Sequence, residues 1–197
     1  GERAEVGVHR VVATGRAARA GVLFRDAEAI ERLGSIDTLI VDKTGTLTEG
    51  RPAYQQDLVM PGFESDPLLR LAASLEQGSE HPLATAIVAE AGRRGLALAA
   101  AEEFDSITGI GVRGRVQGQA LSLGSQVFMA ETGVDTAPLG ERSEALRQAG
   151  ASVVFLSVDG RLAGALAVAD PVKATTPEAL RQLRAAGLRI VMASGDA

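Results

Sequence analysis

Asp42 closes the run Ile36-Asp37-Thr38-Leu39-Ile40-Val41, a short β-branched stretch that reads as a buried parallel strand. Open α/β sheets bind their ligands in the loops beyond the carboxyl ends of the strands, so an aspartate at that point is placed for chemistry. Thr44, Gly45 and Thr46 follow. A glycine between small hydroxyls lets the backbone curl until its N–H groups face an anion held at the carboxylate, and a phosphoryl group fits that description. A lone Asp-Lys pair is usually a turn cap, but here the run continues as Asp42-Lys43-Thr44-Gly45-Thr46-Leu47-Thr48.

Two further places carry chemical groups. Pro82 at a first helical position puts His81 at the positive end of a helix dipole, where the neutral imidazole is favoured; the same pattern also serves as a plain helix entry. Glu76 sits five residues earlier, where alone it reads as a solvated helix-face residue. Gly109-Ile110-Gly111-Val112-Arg113-Gly114 has dinucleotide-fingerprint spacing, yet a period-two strand follows it instead of a helix, which excludes NAD binding.

The elements that must hold these groups change character along the chain. Thr14 to Arg32 has helical spacing, firmest from Arg25 to Leu33, and the strand ending at Asp42 follows. A helix is expected over Ser65 to Gln77, capped by Ser65 or Asp66, and a second starts at Pro82 and ends at two arginines and Gly95. Val112, Gly114 and Val116 alternate with Arg113, Arg115 and Gln117, so a hairpin turning at Gly118 is expected. Ser143 to Gln148 reads as helical. Ser152 to Val158 and Leu162 to Ala169 form strands joined by Asp159-Gly160, a strong hairpin signal. Thr176 caps a helix with Pro177 in its first turn, and the strand Leu188 to Ala193 closes a strand, helix, strand alternation. The fold class is therefore α/β: the ends of the chain belong to a parallel layer and the middle is an inserted α+β domain.

Composition narrows the options. The 197 residues include no cysteine and two histidines, excluding disulfides, thiolate nucleophiles and Cys-based zinc sites. A net charge of -5 offers no footprint for nucleic acid. Apolar stretches such as Ala163 to Ala169 are far too short for a membrane span, and no signal-peptide pattern opens the chain, so a soluble cytosolic segment is expected.

The seven-residue run from Asp42 to Thr48 resembles, without a mismatch, the phosphorylation motif of P-type ATPases, in which the Asp becomes an aspartyl phosphate. The wider haloacid-dehalogenase fold that it resembles includes phosphatases with a second Asp two places after the nucleophile. Thr44 stands there, and a hydroxyl cannot hold a proton in reserve for attack by water, so the acyl phosphate should persist. Thr14 to Arg25 resembles the segment between a membrane helix and the phosphorylation domain. Ser79-Glu80-His81-Pro82-Leu83 is similar to the nucleotide-domain signature of the heavy-metal branch.

That resemblance implies a partial haloacid-dehalogenase-like, Rossmann-like sheet interrupted by a nucleotide-binding domain: linker 1–33, phosphorylation domain 34–51 and 165–197, nucleotide-binding domain 52–164. It implies ATP and Mg2+ as cofactors, with Asp42, Lys43, Thr44 and Ser194 catalytic. Glu76, His81, Gly109, Gly111, Gly124, Ser125 and Asp196 would bind the cofactor, and Asp42 and Thr44 the magnesium ion. In Ser194-Gly195-Asp196, similar to the family's Thr-Gly-Asp, the hydroxyl could bond a phosphoryl oxygen. Asp170-Pro171-Val172-Lys173 resembles the family's hinge segment. The family's magnesium-binding Gly-Asp-Gly-x-Asn-Asp, its actuator loop and its intramembrane Cys-Pro-Cys site do not occur in this sequence. The implied whole is the cytoplasmic portion of a copper-type transporter, whose actuator domain and membrane helices are its partners and whose transported ion binds elsewhere. The expected behaviour of this stretch alone is nucleotide binding with little turnover. A soluble phosphatase and a non-enzymatic nucleotide sensor are the rival readings.

Overall fold

A computed structural model describes residues 18, 19, 21, 22, 27–107 and 109–193. The expectations for Ser194, Asp196 and most of 14–25 lie outside these residues. Among the described residues two compact units divide the chain, one containing residues up to Lys43 and from Ala174 onward, the other Thr44–Lys173.

In the first unit, helix α1 (Ala27–Gly34) leads to β1 (Thr38–Asp42), which pairs in parallel with β8 (Arg189–Ala193). Asp42 stands opposite Ala193, so both strands reach their carboxyl ends together. Helix α6 (Thr176–Ala185) precedes β8. Its N-cap is Thr175, without a side-chain bond, one residue before the expected Thr176. Pro177, with its φ preset and no N–H to lose, still lies in the first turn.

The second unit is an antiparallel sheet of six strands between helices, in the order β2-β7-β6-β5-β4-β3. The strands are β2 (Ala53–Val59), β3 (Ala101–Ile107), β4 (Gly111–Val116), β5 (Gln119–Gly124), β6 (Ser152–Val158) and β7 (Arg161–Ala169). On one face lie α2 (Ser65–Glu76) and α3 (Pro82–Arg93), whose Leu68, Leu71, Leu75 and Ile87 pack against Val116, Leu156, Leu166 and Val168. Phe128 and Met129 of α4 (Gln126–Glu131) pack on the other face with Phe155, Ala165 and Ala167, near α5 (Gly140–Gln148). Period-two alternation sends neighbours of β6 and β7 to opposite cores, which is why both central strands read as nearly continuous apolar runs.

Two caps differ from expectation. The N-cap of α2 is Glu64, because the hydroxyl of Ser65 donates to Asp57 and Asp66 pairs with Arg94 at 2.8 Å. The strands β2 and β3 had no sequence signal. Both are edges, both carry a register shift, and much of each is polar and exposed, so cross-strand pairing rather than apolar periodicity defines them. The two compact units part after Lys43 and after Lys173. β7 runs unbroken to Ala169, and the loop after Lys43 is tied to the segment that follows β7.

Candidate active site

Asp42 is exposed at the carboxyl end of the parallel pair, and Lys43 beside it is half-buried. In the second unit the backbone then turns sharply: Thr44 is extended (φ -77°, ψ 123°) and Gly45 takes φ 73°, a left-handed conformation that costs a glycine little. Asp170 holds this loop from below. Its carboxylate accepts from the hydroxyl of Thr48 at 2.5 Å and from the backbone N–H groups of Gly50 and Arg51, both at 3.1 Å. Thr48 in turn accepts from the N–H of Gly45 at 3.1 Å, and Lys173 Nζ donates to the carbonyl of Gly45 at 2.7 Å. The hinge-like segment Asp170 to Lys173 is thus the clamp of the Thr44–Arg51 loop.

A pocket of about 290 Å³ opens elsewhere in the second unit. Glu76, His81, Gly109, Gly111, Gly124 and Ser125 all line it, so six side chains or glycines spread over 50 positions meet at one cavity. Glu76 ends α2 with its Oε2 buried and without a hydrogen-bond partner. Burial raises its carboxyl above the ordinary range, and a hydrogen bond from the Ser79 side chain works against that rise. His81 is the N-cap of α3: its Nδ1 accepts from the N–H of Leu83 at 3.2 Å. An acceptor Nδ1 leaves the proton of the neutral ring on Nε2, which is free to face a ligand. Ser79 links the two, since its hydroxyl oxygen accepts from the His81 N–H at 3.3 Å.

The glycines behave differently from one another. Gly109 has φ 81° and open space where a Cβ would stand. Gly111 and Gly124 are packed: a Cβ on either would lie within 2.7 Å of Phe128 ring atoms and of backbone. Ser125, expected to contact a cofactor, caps α4 by accepting from the N–H of Phe128 at 3.2 Å. The wall contributed by Ser152, Val153 and Val154 went unread in the sequence, since nothing local marks the start of a core strand as a pocket wall.

A sequence profile of haloacid dehalogenase-like hydrolases matches residues 36–197, most of the chain. The chain belongs to this family. Its parallel strand pair, with an aspartate at the carboxyl end and a separate antiparallel domain inserted, is the arrangement expected of a haloacid dehalogenase-like hydrolase with a large insert. Within the family the resemblance to heavy-metal P-type ATPases extends over nearly the whole chain. It is 50% identical over 186 residues, 94% of its length, to a copper-transporting P-type ATPase of Rhizobium leguminosarum bv. viciae, of which it covers 22%. A zinc-transporting PIB-type ATPase in the E2.Pi state superposes with a TM-score of 0.83 at 32% identity, over 98% of this chain and 31% of that one. The catalytic domain of the CPx-ATPase CopB-B, described for its conformational changes upon nucleotide binding, gives a TM-score of 0.66 at 26% identity over 93% of this chain and 62% of that one. The chain spans about a quarter of the length of the curated relatives it matches. No helix among the described residues is long and apolar enough to cross a membrane.

Proposed function

We propose that this chain is the ATP-binding and phosphorylation region of a heavy-metal-exporting P-type ATPase, with copper as the transported ion. The pocket holds the nucleobase, and Asp42 receives the γ-phosphoryl group. The observation that carries the nucleotide reading is the buried, unpartnered Oε2 of Glu76 beside the His81 ring. A buried acceptor without a donor is costly, and the exocyclic amine of adenine supplies that donor. The same oxygen repels the carbonyl of guanine. Among the described residues no lysine or arginine lines the pocket, so it suits an uncharged base and leaves the phosphates directed outward.

In the transfer step a carboxylate oxygen of Asp42 forms a bond to the γ-phosphorus while the bond from that phosphorus to the β,γ-bridging oxygen breaks, releasing ADP. Asp42 is exposed, and in such a transfer a carboxylate oxygen is itself the nucleophile. Its donor chemistry also fits a magnesium ion, which takes one or two carboxylates together with waters and phosphate oxygens; Asp42, with Thr44 two residues on, would hold it. When bound, that ion offsets the repulsion between the phosphates and the carboxylate. The Asp170 clamp keeps Thr44 to Arg51 in one conformation. Thr44 in place of a second carboxylate favours a lasting acyl phosphate over a phosphatase cycle.

The partners under this reading are the actuator domain and membrane helices of the same transporter, and the chain is its cytoplasmic portion. Titration calorimetry with ATP and with GTP tests the pocket. One ATP per chain, with GTP clearly weaker, is the expected result; no heat, or equal affinity for the two, contradicts it.

A further inference from the structure

Gly111 of β4 and Gly124 of β5 are directly paired in the sheet, and Phe128, 1% exposed, packs on both. A Cβ built on Gly111 would lie 2.7 Å from Cε1 of Phe128 and 2.7 Å from the carbonyl oxygen of Leu123. One on Gly124 would first meet the carbonyl oxygen of Ile110, and would lie 2.7 Å from Cδ1 of Phe128 and 2.7 Å from the Cα of Gly111. Atoms do not approach so closely, so neither site admits a side chain while the ring stays in place. Phe128 itself does not line the pocket, whereas both glycines do.

The ring is fixed from its own side. Ser125 begins α4 by accepting from the Phe128 N–H, and the Ser125 N–H donates to the carbonyl of Ile110 at 2.8 Å, tying the helix to the loop that carries Gly109 and Gly111. Ile107 and Ile110 pack against the same buried cluster as Phe128. The loop and the glycine pair therefore pack against this ring as well as against the backbone of Leu123 and Ile110.

We infer that Phe128 is a positioning residue for the pocket, and that Gly111 and Gly124 lack side chains to accommodate its ring rather than to admit the bound molecule. The inference rests on the nucleotide reading of the pocket, and it assigns a different cause to the glycines. Under it, a side chain at position 111 harms binding by displacing Phe128, and a smaller residue at 128 relieves part of that harm.

The test is a double-mutant cycle on the 197-residue chain with Gly111→Ala, Phe128→Val and both together, measuring thermal unfolding and ATP affinity well below the unfolding temperature. Gly111→Ala is expected to weaken ATP about tenfold or more and to lower the unfolding temperature, while the double variant binds ATP several-fold more tightly than Gly111→Ala alone. A folded double variant that binds no better than Gly111→Ala overturns the inference, because the added methyl would then obstruct the ligand itself. Phe128→Leu, a milder change, covers the case in which the double variant does not fold: it is expected to fold and to weaken ATP several-fold, and wild-type affinity overturns the inference. If the unaltered chain binds no ATP, the nucleotide reading fails separately. The coupling in thermal stability then decides the packing claim: additive effects contradict it and compensation supports it.

Discussion

Thr48 donates its hydroxyl to Oδ2 of Asp170 at 2.5 Å, joining residues 122 positions apart. The same carboxylate receives the N–H groups of Gly50 and Arg51, so one side chain satisfies a hydroxyl and two backbone donors of the loop after Lys43. Replacing it by alanine removes at once the acceptor of the buried Thr48 hydroxyl and of two backbone N–H groups. Asp170→Ala is expected to lose about 2 kcal/mol of stability and Asp170→Asn a smaller part of that, since the amide keeps one acceptor oxygen but not the charge. Urea denaturation at neutral pH measures both, and an unchanged midpoint for the alanine variant would remove the clamp from the account.

Glu76 makes stability depend on pH in a definite direction. Its carboxyl is raised in the folded chain, chiefly by burial, so the protonated form is the one folding favours. That contribution is fully present below the unfolded carboxyl's pKa and is lost as pH rises through the folded value. At neutral pH Glu76→Gln should therefore unfold at a higher temperature than the wild type, with the gain disappearing below about pH 4. The same variant should bind ATP about tenfold more weakly, because the charge-assisted bond is lost. A lower unfolding temperature at pH 7 would contradict the assignment.

The two jobs of His81 can be separated. Its Nδ1 caps α3 through the N–H of Leu83. Asparagine is a good N-cap, so His81→Asn should leave stability nearly unchanged while weakening ATP binding; His81→Ala should lose both, with about 1 kcal/mol of stability. Calorimetry and thermal unfolding together read this out, and unaltered affinity in both variants excludes the ring from the pocket.

Arg94 binds together β2, α2 and α3. It reaches Glu90 and Asp66, each at 2.8 Å, and Ser65 at 3.1 Å, and lies over the Tyr54 ring at 5.3 Å. Lysine cannot reproduce this fork and stack, so Arg94→Lys is expected to destabilise by about 1 kcal/mol. Glu90 is held down to about 2, first by its hydrogen bond from Arg93 and also by Arg94, against the effect of burial. A depressed carboxyl contributes stability above its unfolded pKa and loses it as pH falls through the folded one. The difference between wild type and Arg94→Lys should accordingly shrink from pH 5 towards pH 2, followed by denaturant midpoints; a constant difference would show that Glu90 carries no part of it.

Some of this architecture was readable from the chain and some was not, for physical reasons. The hairpin of β6 and β7 announces itself through Asp159-Gly160 and two apolar runs, and the helix at Pro82 through its proline. The edge strands β2 and β3 do not, because their polar residues face water and only the pairing with β7 and β4 makes them strands. Motifs marked His81 and Gly109, while only the family resemblance singled out Glu76, which alone reads as a solvated helix-face residue. Nothing local pointed to Phe128 or to the partners of Asp170, whose parts depend on residues brought close only by the fold.

The central claim concerns Asp42, and the most direct measurement is made on the transporter that contains this chain. It is incubated with magnesium and γ-labelled ATP and quenched in acid, and a parallel sample is treated with tritiated borohydride, which reduces the phosphorylated carboxyl to an alcohol as phosphate leaves and so marks that residue for peptide mapping. The account predicts an acid-stable, hydroxylamine-sensitive label that maps to position 42 and is absent from Asp42→Asn. A label on any other residue, or full labelling of Asp42→Asn, would contradict it.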